Sequence, residues 1–159
     1  MIKLLILDVD GVLTTGALPY EADGNRQKAF YVQDGGAIRR WMAEGGQVAI
    51  LSGREADCVG ARARDLGIPV LIQGVPDKVP SYETICRQAG VSESEVAVMG
   101  DDLPDVPLLK RCGYPIAVDN AHRFAKRIAR YVTRRPGGAG AIAEAIERLL
   151  RYNGTHQEA

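Results

Sequence analysis

Short apolar runs of β type recur along the chain at residues 2–9, 47–51, 70–73, 96–99, 116–118 and 131–133. The stretches between them carry helical periodicity. Ile38, Trp41 and Met42 form one apolar stripe, Val59, Ala63 and Leu66 a second, and Tyr82, Ile85, Cys86 and Ala89 a third. Leu108-Leu109 and the pair Phe124 and Ile128 mark two shorter helices, and residues 141–150 a closing one. Strands alternating with helices of this length predict an α/β fold, a doubly wound and mostly parallel sheet joined by right-handed crossovers. Near-continuous apolar strands agree, because such a sheet is covered on both faces. One segment breaks the alternation: residues 14–20 and 27–32 flank Glu21-Ala22-Asp23-Gly24-Asn25, whose Asp-Gly predicts a β-hairpin over about residues 14–32. No linker, repeat or low-complexity stretch divides the chain. The expectation is one domain over residues 1–152 and a flexible polar tail over 153–159.

With 159 residues, 46% apolar and 25% charged, the chain is long enough for a real core and has the balance of a soluble domain. Twenty acidic and twenty basic residues cancel, which argues against nucleic acid or an anionic membrane surface as partner. No apolar stretch approaches membrane-spanning length, and the chain enters a strand without a signal peptide, so the expected location is the cytoplasm. Cys58, Cys86 and Cys112 are odd in number and far apart, without a CxxC. They read as small buried residues rather than a metal or dithiol site.

The candidate chemistry begins where the first strand ends, at Leu7-Asp8-Val9-Asp10-Gly11. Carboxylates at i and i+2 point the same way in an extended chain. Two such charges repel unless a cation or proton lies between them, so the pair suggests Mg²⁺ with chemistry on one carboxylate. An Asx turn closing a strand is the bland alternative for a lone Asp-Gly. The rest of the chain opposes it, because polar residues gather at the ends of other strands too. Ser52-Gly53-Arg54 follows the second, and Gly100-Asp101-Asp102 follows the fourth with Asp105 one turn on. Asp77-Lys78 opens the helix after the third. Taken singly, Ser52 reads as a helix cap and Lys78 as a solvated lysine. Together, in the crevice beyond the strand ends of an open α/β sheet, they read as one site. Carboxylates attract a cation, while Ser, Lys and Arg beside them supply donors for an anion. That mixture fits a Mg²⁺-bridged phosphate.

In order, Asp8-Val9-Asp10-Gly11-Val12, Ser52, Lys78 and Gly100-Asp101-Asp102-Leu103-Pro104-Asp105 resemble the four motifs of the haloacid dehalogenase phosphatase superfamily. Further segments, Phe30-Tyr31-Val32-Gln33-Asp34-Gly35, Leu51-Ser52-Gly53-Arg54, Gln73-Gly74-Val75-Pro76-Asp77-Lys78 and Gly137-Gly138-Ala139-Gly140-Ala141, resemble the 3-deoxy-D-manno-octulosonate 8-phosphate phosphatase family. The resemblance covers roughly residues 1–151. It implies Asp8 as nucleophile, Asp10 as general acid and base, and Ser52 and Lys78 as holders of the phosphoryl oxygens. It further implies Asp8, the backbone carbonyl of Asp10 and Asp101 as Mg²⁺ ligands, with Asp102 and Asp105 in support. Gly53, Arg54 and Gly138 would meet substrate, and Lys110 is a further cation within possible reach. His122 reads as structural, since Asp10 already supplies acid and base. Members of the family commonly carry Arg at the positions of Gln33 and Ala139, so the resemblance fixes the reaction type more firmly than the sugar. A nine-carbon keto-acid 9-phosphate, or the role of a phosphatase domain associated with a sialic-acid synthetase, stays open beside the eight-carbon substrate.

Chain length adds an independent expectation. Asp10 and Ser52 are 42 positions apart, and Ser52 and Lys78 are 26 apart. Neither interval holds a cap domain beyond the hairpin, helices and strand already assigned. An uncapped site is wet, so either a large substrate or another subunit must cover it. The resemblance implies the latter, a homo-oligomer and most simply a tetramer, with a neighbour's hairpin and a mobile glycine-rich segment closing the pocket. A phospho-acceptor binding module of response-regulator type is the non-enzymatic alternative. Its acceptor Asp belongs on an internal strand, whereas here the pair ends the first one.

Overall fold

The computed structural model describes residues 1–24 and 26–157. Asn25, in the expected hairpin turn, and Glu158 and Ala159, in the expected tail, lie outside the described residues. Six strands form one sheet: β1 (Leu4–Leu7), β2 (Gln47–Leu51), β3 (Val70–Ile72), β4 (Val96–Gly100), β5 (Tyr114–Ala117) and β6 (Tyr131–Val132). Their order is β3-β2-β1-β4-β5-β6, and every neighbouring pair is parallel. The helices are α1 (Val32–Ala43), α2 (Asp57–Leu66), α3 (Val79–Ala89), α4 (Val106–Leu109), α5 (Arg123–Ile128) and α6 (Ala141–Gln157). Among the described residues no insertion forms a separate cap domain.

The central strands are apolar at every position, because both faces are buried. Side chains alternate between the two. Leu5 and Leu7 of β1 join Ile38 and Trp41 of α1 and Ile142, Ile146 and Leu149 of α6 in one core layer. Leu4 and Ile6 join Tyr82 and Ile85 of α3 and Leu108 and Leu109 of α4 in the other. Each such large side chain contributes roughly 1.5–3 kcal/mol on burial. The apolar stripes read from the sequence thus face the sheet, with one exception. Phe124 of α5 is 41% exposed. Cys86 and Cys112 are buried, Cys58 is half-buried, and all three are free thiols.

Chain order steps outward from β1 to β2 and β3, then returns across the sheet to β4 on the other side of β1. The switch of direction lies between β1 and β4, the position where doubly wound sheets open a crevice beyond their strand ends. Register places Leu7 opposite Met99, so Asp8 and Gly100-Asp101 leave the sheet side by side. The backbone N–H of Asp8 still donates to Met99 O at 3.2 Å.

The segment after β1, where a hairpin is expected, carries little ladder. It doubles back, with an antiparallel bridge between Tyr20 and Arg26 and a bond from Gln27 N–H to Pro19 O at 3.4 Å, and no two-stranded ladder forms among the described residues. A two-stranded ribbon without a third strand or a covering helix is marginal, and no described strand lies beside this one. At the other end, α6 runs five residues past position 152. Its continuation is tied to the body of the chain. Asn153 donates through Nδ2 to Ile2 O at 2.8 Å and accepts from Ile2 N–H at 2.7 Å through Oδ1.

Candidate active site

Gly11 adopts φ +87°, and the chain folds back at once, with Thr14 N–H donating to Val9 O at 3.1 Å. The buried Thr14 hydroxyl accepts from Gly11 N–H and Gly16 N–H and so fastens this turn. The turn lifts Asp10 out of the strand line beside Asp8. Glycine suits position 11 for a second reason, since a Cβ there would lie 2.0 Å from Asp101 Oδ2 and that carboxylate would have to move. The absence of a side chain lets the β4 carboxylate approach the β1 turn.

Lys78, 4% exposed, stands between two carboxylates. Its Nζ is 2.9 Å from Asp8 Oδ1 and 2.7 Å from Asp105 Oδ1. Asp105 is fully engaged: Oδ1 by Lys78, and Oδ2 by Asp101 N–H at 3.0 Å and Asp102 N–H at 3.2 Å. Asp102 faces outward, capping its turn through Leu103 N–H at 2.7 Å. Ser52 is buried at the end of β2, its Oγ accepting from Arg54 N–H at 3.3 Å. Arg54 is exposed, with Nε 3.8 Å from Asp10 Oδ2. These groups line a cavity of about 300 Å³, shared with Gly53, Gly16 and Leu18.

The electrostatics show a site rich in close negative charge. Burial pushes the Asp8 carboxyl up to about 6, the negative Asp105 adds to this, and Lys78 opposes it. Asp101 is pushed up to about 8 by burial and then by Asp8, Asp105 and Asp102. Burial alone would draw the Lys78 ammonium down, but Asp8 and Asp105 reverse this and hold it above its ordinary value. Oxygens of Asp8, Asp101 and Asp105 lie within 4.8 Å of one another. Asp105 is already saturated, so Asp8 and Asp101 are left to share a cation. The buried Asp101 Oδ1 has no hydrogen-bond partner among the described residues. An orphaned carboxylate oxygen beside another carboxylate fits a hard divalent ion such as Mg²⁺.

Most of the residues named from sequence therefore meet: Asp8, Asp10, Ser52, Gly53, Arg54, Lys78, Asp101, Asp102 and Asp105 all border the cavity. Gly138 and Lys110 do not line it. The glycine-rich segment, expected to be a mobile lid, lies under the first turn of its own chain and bonds to it. Gly138 N–H donates to Val12 O at 3.0 Å, and Gly137 N–H to Asn120 Oδ1 at 3.2 Å. A Cβ on Gly137 would lie 1.7 Å from Gly11 O. These glycines permit backbone to lie on backbone. His122 caps α5 through Phe124 N–H, as expected of a structural residue.

Three contributors went unnoticed in the sequence. Thr14 has the local signal of a hydroxyl just past a turn. Asp34, buried in α1, accepts from Ala143 N–H at 2.9 Å and so binds the start of α6. Lys28 makes an ion pair with Asp10 Oδ1 from the irregular segment, with its side chain 6% exposed. No periodicity marks Lys28, because the contact is made by a loop.

The comparisons with known proteins agree with this fold. Residues 70–146 match the family model of haloacid dehalogenase-like hydrolases. The chain is 40% identical over 158 residues to the 3-deoxy-D-manno-octulosonate 8-phosphate phosphatase KdsC of Escherichia coli K12, covering 99% of this chain and 84% of that protein. The chain belongs to this family of haloacid dehalogenase-like hydrolases. Among solved structures, the Moraxella catarrhalis 3-deoxy-D-manno-octulosonate 8-phosphate phosphatase superposes with a TM-score of 0.92 at 38% identity, over 94% of this chain and 86% of that one. That structure is described as a complex with magnesium ion, phosphate ion and a KDO molecule. The cobalt-bound phosphatase of Haemophilus influenzae gives 0.92 at 39% identity, over 96% and 90% of the two chains. No described helix of this chain is long and apolar enough to cross a membrane.

Proposed function

We propose that this protein is a Mg²⁺-dependent phosphatase hydrolysing 3-deoxy-D-manno-octulosonate 8-phosphate through an aspartyl-phosphate on Asp8. The observation that carries the reading is the Asp8 carboxylate at the switch point of the sheet, held by Lys78 and within 4.8 Å of the Asp101 carboxylate, whose Oδ1 has no partner among the described residues. The names of the relatives supply the sugar. Asp8, Asp101 and the backbone carbonyl of Asp10 would hold the ion. When bound, it offsets the repulsion between the carboxylates and the charge of the substrate phosphate.

The residues then divide the work. Lys78 fixes the orientation of Asp8 and presents positive charge to the phosphoryl oxygens, as does the Ser52 hydroxyl as a donor. Asp8 attacks phosphorus, the ester P–O bond breaks, and Asp10 delivers its proton to the departing sugar oxygen. Asp10 then takes a proton from water, the water oxygen bonds phosphorus, and the acyl phosphate P–O bond breaks to return Asp8 and release phosphate. Asp105 keeps Lys78 charged and the β4 loop in place. Arg54, at the open mouth, provides a cation for the sugar acid.

The open cavity calls for a cover. We read the protein as a homotetramer of the cytoplasm in which residues 14–31 of one copy wall the site of another. Tyr20 is 64% exposed and Val32 83% exposed, and the loop between them lacks a sheet of its own. Steady-state kinetics with Mg²⁺ on a panel of phosphorylated keto-sugar acids tests the assignment. The eight-carbon substrate should give the highest kcat/KM, and a clear preference for the nine-carbon 9-phosphate would reject it. Light scattering of the purified protein tests the assembly, which a fully active monomer would rule out.

A further inference from the structure

We infer that Lys28 is a positioning residue for the reaction: it fixes the direction of the Asp10 carboxylate, so that the irregular segment after β1 serves to deliver this one ammonium group. The inference rests on the role of Asp10 proposed above. Lys28 is 18 residues from Asp10 in sequence, yet its ammonium pairs with Asp10 Oδ1. The Lys28 side chain is 6% exposed and that of Asp10 20%. A lysine head group so withdrawn from water is costly without a counter-charge. Among the described residues, the ion pairs of Lys28 are made with Asp10 alone, so the placement of each depends on the other.

Asp10 needs such a hold. It follows the last strand residues and precedes a glycine at φ +87°, and its backbone, at φ −68° and ψ 119°, is not helical. Among the described residues its carboxylate meets two side-chain cations, Lys28 and the more distant Arg54 at 3.8 Å. Arg54 is 55% exposed at its side chain and stands at the cavity mouth. A general acid must stay within hydrogen-bond reach of the leaving oxygen, and an exposed arginine gives little constraint on a rotatable carboxylate. Lys28 does not line the cavity. It holds Asp10 Oδ1 from outside the set of residues that line the cavity, whereas Asp10 itself lines it. Phe30, two residues on, is partly buried against the core with Arg62 5.7 Å over its ring, which anchors the chain beside Lys28.

A lysine that merely neutralised a charge would affect all substrates alike. Misdirecting a general acid harms poor leaving groups selectively, because a good one departs without a proton. Values of kcat/KM report steps up to ester cleavage, so they isolate this effect from the later hydrolysis of the aspartyl-phosphate. The test compares p-nitrophenyl phosphate with a sugar-acid phosphate or an alkyl phosphate, in the wild type, Lys28→Met, Lys28→Arg and Asp10→Asn, all with Mg²⁺. Lys28→Met should lower kcat/KM for the alkyl-type ester by roughly 10- to 100-fold, a part of what a general acid contributes, with p-nitrophenyl phosphate affected less than about threefold. Lys28→Arg should restore most of the loss. Equal losses on both substrates, or none on either, would overturn the inference. Asp10→Asn separates the two levels. If it shows the leaving-group dependence and Lys28→Met does not, the inference alone fails; if neither shows it, the role of Asp10 fails first. Lys28→Gln repeats the measurement should Lys28→Met lose its fold.

Discussion

Asp101 fills the space that a side chain at Gly11 would need: a Cβ there would lie 2.0 Å from Asp101 Oδ2. The glycine of the first motif therefore does more than turn the chain. It lets the carboxylate that ends β4 reach the carboxylate that ends β1. Gly11→Ala should combine this collision with a left-handed backbone, which costs a non-glycine residue of order 1 kcal/mol or more. The expected outcome is a protein that folds less stably, binds Mg²⁺ at least about tenfold more weakly and turns over slowly. Calorimetric Mg²⁺ titration beside a thermal melt checks it, and unaltered metal affinity would refute the packing argument.

The metal-free site predicts a pH dependence of stability. Asp8 is raised from 3.8 to about 6 and Asp101 from 3.8 to about 8, so the folded state holds protons that the unfolded chain has lost. Stability in EDTA should then fall as pH rises from about 4 through about 8, because the folded state binds more protons across that window. Mg²⁺ replaces those protons, so its stabilising effect should grow over the same range. Asp101→Asn should flatten the EDTA profile and remove most of the Mg²⁺ effect. Melting temperatures at about pH 5.5, 7 and 8.5, with and without Mg²⁺, decide the matter; a Mg²⁺ shift that is constant with pH would contradict it.

Much of this site was legible from sequence because strand ends are legible. Asp8, Ser52 and Asp101 follow apolar runs, and topology alone carries such residues to one edge. The strands were read to within a residue or two of their observed limits at β2 and β4, where burial on both faces gives a continuous apolar signal. The segment over residues 14–32, expected as a hairpin, doubles back with an antiparallel bridge between Tyr20 and Arg26, and the bridge stays isolated because the Asp-Gly turn signal is local whereas a longer ladder needs a neighbouring strand. Lys28 and Asp34 were missed for a related reason: their partners, Asp10 and Ala143, lie far away in sequence. The glycine-rich segment invited the reading of flexibility. Its glycines instead admit close contact between two backbones, which no composition reveals.

Lys78→Met should be severely destabilising as well as inactive. It would leave Asp8 and Asp105 facing each other without the buried ammonium that both contact, and breaking a buried ion pair in this way typically costs about 3–5 kcal/mol. Loss of one carboxylate partner as well should recover part of that. The double variant Lys78→Met with Asp105→Asn is therefore expected to be more stable than Lys78→Met alone, though still inactive. Denaturant unfolding of the three proteins measures the coupling, and strict additivity would show that the pair is not a unit.

The roles of the two motif carboxylates separate in time, and this yields the most direct chemical prediction. Asp8→Asn barely changes volume but removes the attacking oxygen anion, so no phosphoryl group should be found on the protein and turnover should vanish. Asp10→Asn leaves the nucleophile, Lys78 and the cation ligands in place but cannot relay protons. It should slow both steps, with each expected to lose about 10²- to 10⁴-fold. With an ester whose leaving group needs no proton, Asp10→Asn can still form the aspartyl-phosphate but hydrolyses it slowly, so the phosphoenzyme should accumulate. Acid quench, borohydride reduction and peptide mass mapping should place the trapped group on Asp8. A label on any other residue, or accumulation in Asp8→Asn, would show that the nucleophile lies elsewhere.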